Sequence, residues 1–196
     1  MRISALVLTS VILMVPAAAL AETTQGENAL NGGVGFQSGF TDWSPGGFKW
    51  FNAYGRELTD LVWLDIQANM SLGGRDNDRC WYDKHDNVHC DYDHWSGNTF
   101  EFVAGVRLRW ELTKAPVVID ALLGGAGELI TLGFDDFVGW AIGFKGGVGA
   151  HYFVLPNLGF GMKLSAVIGP SFIVDGPGVE FYSALDFQVI GVEYRF

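Results

Sequence analysis

Basic residues, long apolar runs and any collagen-like period are scarce or missing in this sequence. Only 12 of its 196 residues are Lys or Arg, against 22 Asp or Glu, and the formal net charge is −10. We expect no nucleic-acid partner, because phosphate binding needs a basic face. After residue 21 no stretch reaches the roughly 18 apolar residues of a membrane helix. The 27 glycines follow no triplet repeat and alternate with apolar residues, which excludes collagen and a flexible linker. What is left is one acidic domain rich in glycine and aromatic residues.

The first 21 residues have the composition of a secretory signal peptide. Arg2 provides a basic start, residues 5–15 form an apolar core, and Ala19-Leu20-Ala21 is a small-x-small cleavage site. A membrane anchor is the alternative, but the core is short for a span. We expect residues 1–21 to be removed and residues 22–28 to form a short N-terminal segment before the folded domain.

Beyond this segment, apolar residues recur at every second position. In residues 158–169, LGFGMKLSAVIG, the even positions are all apolar, and the odd positions are small or polar apart from Val167. This is the period of a β-strand and not of a helix. In the last segment the apolar residues change from odd to even positions, which predicts a β-bulge near Gln188. Eight segments follow the pattern, the first two less cleanly: 29–40, 48–58, 61–72, 99–112, 117–130, 138–154, 158–169 and 179–196.

The connections between these segments alternate between long and short. Those after the second, fourth and sixth segments are tight turns, whereas the others are longer and include a polar excursion after residue 73. An up-and-down barrel with tight turns at one rim and longer loops at the other predicts this alternation. We therefore predict an all-β fold, an eight-stranded antiparallel up-and-down transmembrane β-barrel over residues 29–196, with a long external loop at 74–97.

Two kinds of eight-stranded barrel fit the alternation. A soluble lipocalin-like barrel turns its apolar face inward around a ligand, and a membrane barrel turns it outward to lipid. The glycines of the polar face favour the membrane barrel, because they make room for charged side chains in a narrow lumen. Charges are almost absent from the apolar face. Aromatic residues end the apolar stripes as an interfacial girdle would: Trp110 and Tyr152 beside short turns, Phe100 and Trp140 beside long loops.

The sequence resembles the small eight-stranded outer-membrane barrels of Gram-negative bacteria, the OmpA-, OmpX- and OmpW-like group. The resemblance rests on the signal segment, the rhythm of strands and loops, and the ending Val192-Glu193-Tyr194-Arg195-Phe196. It implies that Tyr194 and Phe196 belong to the signal read by the barrel-assembly machinery. It also implies a monomer in the cell outer membrane, in contact with its lipid and lipopolysaccharide.

The polar face carries charged residues that we expect to form a lumen network. One interpretation is a lumen closed by salt bridges, since buried charges must be paired. The other is a narrow ion pathway, although eight strands leave a lumen that side chains fill. The residues concerned are Asp65, Glu101, Arg107, Arg109, Glu111, Asp120, Glu128, Lys145 and Lys163.

The long loop is acidic and contains both cysteines. We expect Cys80 and Cys90 to form a disulfide, because a secreted chain reaches an oxidising compartment. His85 and His89 with Asp86 or Asp91 could bind a divalent metal, but their spacing fits no zinc or EF-hand template. We expect no metal and no cofactor. The aromatic residues of the loop suit contact with an extracellular protein or glycan: Trp81, Tyr82, Tyr92 and Trp95.

Catalysis is the less favoured interpretation. Some barrels of this size modify lipid A, and a hydrolase would need a nucleophile close to a base. His151 and Ser165 lie on the polar faces of neighbouring strands and could approach one another. We predict instead a non-catalytic outer-membrane barrel with a structural or surface-interaction role. The alternatives are a small pore, a lipid A-modifying enzyme and a soluble ligand-binding barrel.

Overall fold

A computed structural model gives the architecture of this protein. It describes residues 27–41, 46–73, 79–82, 88–91, 97–132, 136–174 and 178–196; within these, side chains are not described for 79–82, 88–91, 132 and 136–138. The predicted signal peptide at 1–21 lies outside the described residues. No helix in the described ranges is long and apolar enough to cross a membrane.

Eight long strands form one closed antiparallel barrel, which confirms the predicted fold class. The hydrogen-bonded order around the barrel is β1-β2-β3-β6-β7-β8-β9-β10 and back to β1. Two short strands, β4 and β5, form a separate two-stranded sheet inside the predicted long loop, and the sequence pattern did not predict them. The strands are β1 Asn28–Gly39, β2 Gly47–Glu57, β3 Val62–Leu72, β4 Arg79–Tyr82, β5 Val88–Asp91, β6 Asn98–Glu111, β7 Val117–Leu132, β8 Asp136–Leu155, β9 Leu158–Ile173 and β10 Val179–Arg195.

A β-bulge interrupts β10 where the sequence changes phase. Gln188 pairs with Lys163 and Gly191 with Gly161, so β10 has one residue more than β9 between these pairs. The predicted bulge near Gln188 is confirmed. As a result, buried inward positions are even-numbered before the bulge and odd-numbered after it, as for Asp186 and Glu193.

Two glycines face each other where neighbouring strands approach closely on the lumen side. Gly105 of β6 lies opposite Gly124 of β7. A Cβ added to Gly105 would lie 2.5 Å from the carbonyl oxygen of Leu123 and 2.6 Å from the Cα of Gly124. A side chain at this position would therefore collide with backbone, which cannot move without parting the strands.

The outer surface is apolar, and the inner surface carries the charges. Phe144, Leu123 and Phe102 have 71%, 68% and 59% of their surface exposed on the outside. The soluble-barrel alternative needs the opposite arrangement and is wrong. We call the two ends the short-turn rim and the long-loop rim. Exposed aromatic residues lie near both: Trp110, Tyr152, Tyr194 and Phe196 at the first, and Phe36, Phe48, Trp50 and Trp140 at the second.

Candidate functional site

The lumen nearer the long-loop rim holds a closed ring of four charged residues. Lys49 of β2 and Lys145 of β8 each form ion pairs with both Glu101 of β6 and Asp186 of β10. All four side chains are fully buried. Lys49 Nζ lies 2.8 Å from Asp186 Oδ1 and donates a further hydrogen bond of 2.8 Å to Gln37 Oε1. We call this group the lysine ring. It links four strands across the lumen with two positive and two negative charges.

A buried tyrosine and an apolar cluster lie beside the lysine ring. The hydroxyl of Tyr182 donates a hydrogen bond to Glu128 and accepts one of 3.1 Å from Gln37. The sequence suggested a lumen filled by polar groups alone, whereas the structure also places apolar residues in it. The apolar residues lie mostly on the long strands β7 to β10: Val103, Ala126, Ile130, Ala141, Val167, Ile173, Tyr182 and Ala184.

A second charged group, the arginine cluster, fills the lumen nearer the short-turn rim. Arg107 Nη1 lies 3.2 Å from Glu193 Oε2, and Arg109 Nη2 lies 2.7 Å from Glu193 Oε1. Arg107 Nε is also 3.2 Å from Asp65 Oδ2. The guanidinium of Arg109 stacks over the ring of Trp63, 4.5 Å from its centroid. Because Trp63 is buried, Arg109 fills space in the lumen through this stack, in addition to pairing its charge with Glu193.

Arg195 and Glu111 lie at the short-turn rim itself. Arg195 Nη1 is 2.8 Å from Glu111 Oε1, and its guanidinium lies 3.9 Å from the centroid of the Phe153 ring. The side chain of Glu111 is 66% exposed. Its assignment to the buried network is therefore wrong: the residue keeps the inward phase of β6, but the strand ends there and leaves it in solvent.

Between the lysine ring and the arginine cluster runs a hydrogen-bonded chain through His151. His151 Nδ1 lies 3.1 Å from Asp120 Oδ2, and Asn31 Nδ2 donates a bond of 3.1 Å to His151 Nε2. Gln188 in turn donates to Asn31 Oδ1. Ser165 lies opposite Gly147, four residues along β8 from His151, so the structure does not bring the considered catalytic pair together.

A small cavity adjoins this chain in the middle of the lumen. Its volume is about 10 Å³, and its lining includes Asp65, Arg107, Asp120 and Lys163. Lys163 is half-buried and forms no hydrogen bond or ion pair within the described part of the chain. Of the nine predicted network residues, the lumen thus holds all but Glu111: Asp65, Glu101, Arg107, Arg109, Asp120, Glu128, Lys145 and Lys163.

Three central lumen residues were missed by the sequence argument. Lys49 lies on the strand whose pattern is blurred, since Asn52 and Arg56 share the outward face with apolar residues. Asp186 and Glu193 lie on either side of the β10 bulge, so no single phase places both inside. Assigning each half of β10 its own phase would have found these two.

The long loop is described only through the backbone of β4 and β5. Cys80 and Cys90 are direct partners across this sheet. Their disulfide stays a prediction, as does the contact role of the loop aromatics. The metal hypothesis falls on side chains outside the described part; within it, no cluster of three or more potential metal ligands occurs.

The first and last strands close the barrel. Phe196 and Asn28 exchange two backbone hydrogen bonds of 2.9 Å. Tyr194 and Phe196 are exposed on the outer surface, with ring centroids 6.2 Å apart. Their role as an assembly signal stays a prediction.

No family model and no curated relative matches the sequence. Solved structures match the fold. OprG of Pseudomonas aeruginosa aligns with a TM-score of 0.59 at 12% identity, over 87% of this chain and 96% of that one. Neisserial surface protein A aligns with a TM-score of 0.56 at 14% identity, over 88% of this chain and 98% of that one. A major outer-membrane protein of Thermus thermophilus aligns with a TM-score of 0.58 at 15% identity, over 88% of this chain and 100% of that one. This chain has the fold of the small outer-membrane β-barrels. Its apolar exterior is the surface that such barrels turn to lipid, so the strands span an outer membrane.

Proposed function

We propose that this protein is a non-catalytic, non-conducting outer-membrane barrel that presents the 74–97 loop at the cell surface for recognition. The observation that carries the proposal is the filled lumen. The lysine ring, the apolar cluster and the arginine cluster occupy it, and a cavity among the described lumen residues has a volume of only about 10 Å³.

An ion crossing this lumen would have to separate buried ion pairs. Each ammonium of the lysine ring bonds two carboxylates, and all four groups are shielded from solvent. Removing one partner from a buried pair typically costs about 3–5 kcal/mol, since the charge left behind is uncompensated. The filled lumen therefore supports a scaffold role over a pore.

The topology supports a recognition role for the loop. It connects β3 to β6 at the long-loop rim and contains its own sheet, β4–β5. A two-stranded hairpin is marginal by itself in water. A Cys80–Cys90 disulfide would stabilise it, because direct partners in an antiparallel pair lie at a Cα separation that disulfides span. We propose a protein or glycan as the loop's partner, contacted through its aromatic residues.

Conductance separates the scaffold from the pore. The refolded barrel, inserted in a planar lipid bilayer, should give no resolved conductance steps at moderate voltage. A sixteen-stranded porin inserted the same way provides the positive control, because its lumen holds water. Steps of uniform size from this barrel would contradict the proposal and favour the pore.

Loop replacement tests the recognition role. In the variant, residues 79–91 are replaced by a glycine-serine linker. The control replaces the turn residues 113–115 at the opposite rim. Both proteins should keep the faster gel migration of an unboiled barrel. On immobilised glycans and extracellular-matrix proteins, binding should disappear in the loop variant alone. Equal binding by the two variants would refute a recognition role for the loop.

A further inference from the structure

Three residues that line the lumen cavity carry buried side-chain atoms without hydrogen-bond partners among the described residues. Asp65 Oδ2 and Asp120 Oδ1 accept no hydrogen bond, and Arg107 Nη2 donates none. These three residues are at most 3% exposed. Asp65 Oδ2 is within ion-pair distance of Arg107 Nε, without a hydrogen bond between them. A buried polar atom left unsatisfied costs about 1–3 kcal/mol, so a cluster of them calls for a shared partner.

Lys163 completes the set. It lies on the inward side of β9, opposite Gly149 of β8, and Gly149 in turn lies opposite Asp120 of β7. Asp120 and Lys163 therefore flank a glycine, and a Cβ there would lie 2.9 Å from Asp120 Oδ1. The absence of that side chain gives the carboxylate its space beside the cavity. Lys163 is the ammonium on this lining that has no direct partner among the described residues.

The volume of the cavity, the number of hydrogen-bonding groups on its lining residues and their charges together identify the ligand. A volume of about 10 Å³ is at the lower limit for one water molecule. The lining offers two free acceptors, Asp65 Oδ2 and Asp120 Oδ1, and two free donor groups, Arg107 and Lys163. Water donates two hydrogen bonds and accepts two. Two carboxylates would repel an anion, and two basic groups would repel a cation. Because the four formal charges cancel, the lining favours a neutral ligand.

We infer that this cavity is a binding site for a single water molecule, which donates to Asp65 and Asp120 and accepts from Lys163 and Arg107. The site lies between the lysine ring and the arginine cluster, and it is independent of what the long loop recognises. It makes the filled lumen wet at its centre. Through Asp120 it also connects Lys163 to the hydrogen-bonded chain of His151, Asn31 and Gln188.

The test is a high-resolution crystal structure of the refolded barrel, with and without a bromide soak. We expect a solvent peak within about 3.2 Å of Lys163 Nζ and of at least one of the two free carboxylate oxygens. An anomalous bromide peak at this position would show an anion site and overturn the inference. An empty cavity would overturn it as well.

A variant and a solution measurement complete the test. In the structure of Lys163→Met the peak should disappear, while the lysine ring stays unchanged; a peak of full occupancy would refute the bridge to Lys163. In solution, nuclear magnetic resonance should show cross-relaxation between a long-lived water and the Lys163 side-chain protons. Its absence in a well-folded sample would contradict the site.

Discussion

The two charged groups of the lumen satisfy their hydrogen bonds to different degrees. In the lysine ring, Lys49 has three acceptors, Glu101, Asp186 and Gln37, for the three donors of its ammonium, and Lys145 has two, Glu101 and Asp186. In the arginine cluster, Arg107 and Arg109 share Glu193, and both keep guanidinium nitrogens without a hydrogen-bond partner among the described residues.

The difference follows from the side chains. An ammonium is a compact point charge with three donors, which three acceptor atoms around it can saturate. A guanidinium has five donors in a fixed plane, which few carboxylates in a narrow lumen can saturate, but its face stacks on aromatic rings such as Trp63. The lysine ring thus depends on its charge pairs, whereas the arginine cluster also fills space. The variants below test this contrast.

Breaking the lysine ring should have the largest effect. Lys145→Met keeps most of the side-chain volume but leaves Glu101 and Asp186 sharing one ammonium. We expect a loss of about 3–5 kcal/mol in the free energy of unfolding. Urea unfolding in lipid vesicles, followed by tryptophan fluorescence, measures it. Lys163→Met is the matched control, because this lysine has no direct ion pair among the described residues. Its substitution should lower the free energy of unfolding by less. Equal losses would contradict the contrast.

Removing one arginine should cost less, because its partner keeps other contacts. In Arg109→Met, Glu193 loses a bond of 2.7 Å but retains Arg107 and Arg195. The expected loss is about 1.5–3 kcal/mol, the range for a hydrogen bond to a charged group. The same urea experiment measures it. If Arg109→Met destabilises the barrel as much as Lys145→Met does, the arginine cluster depends on its charge pairs as strongly as the lysine ring does.

Inward glycines should resist substitution in proportion to what they face. A Cβ on Gly161 would lie 2.3 Å from His151 Cδ2 and 2.4 Å from the carbonyl oxygen of Ala150. Gly161→Ala should therefore cost about 1–3 kcal/mol by overpacking. Gly127→Ala is the control on the outward side of β7, since its Cβ would meet nothing within 4 Å, and we expect a change within about 0.5 kcal/mol. A similar loss in both variants would indicate a propensity effect in place of collision.

Alternation along the sequence was sufficient to predict the wall of the barrel. Leu158 to Ile168 shows a strand with one apolar side, and a one-residue error would have moved every charge to the lipid. The same alternation placed Lys145, Glu101 and Asp120 inside. It failed where a strand departs from strict alternation, as at the bulge that separates Asp186 from Glu193.

The partners inside the lumen could not be predicted, because they depend on how the sheet closes. Lys49 and Glu101 lie on strands that are separated by β3 and meet only because the sheet curls around the lumen. Period two shows which side a residue faces, but neither its height nor what lies opposite. The apolar cluster around Ile130 was missed for a related reason. In the sequence, an apolar residue on the polar face cannot be distinguished from an irregularity of the alternation.

The ion pair at the short-turn rim should have the smallest effect, and it tests where the sealed lumen ends. Glu111→Gln removes the charge that lies 2.8 Å from Arg195 Nη1, but the Glu111 side chain is 66% exposed. Water and salt screen such a pair, so we expect a change of about 0–1 kcal/mol that shrinks further at high salt. The urea experiment at low and high ionic strength measures both. A loss above about 2 kcal/mol that salt leaves unchanged would place Glu111 inside the buried network, as its strand phase predicts, because only a shielded charge pair escapes screening.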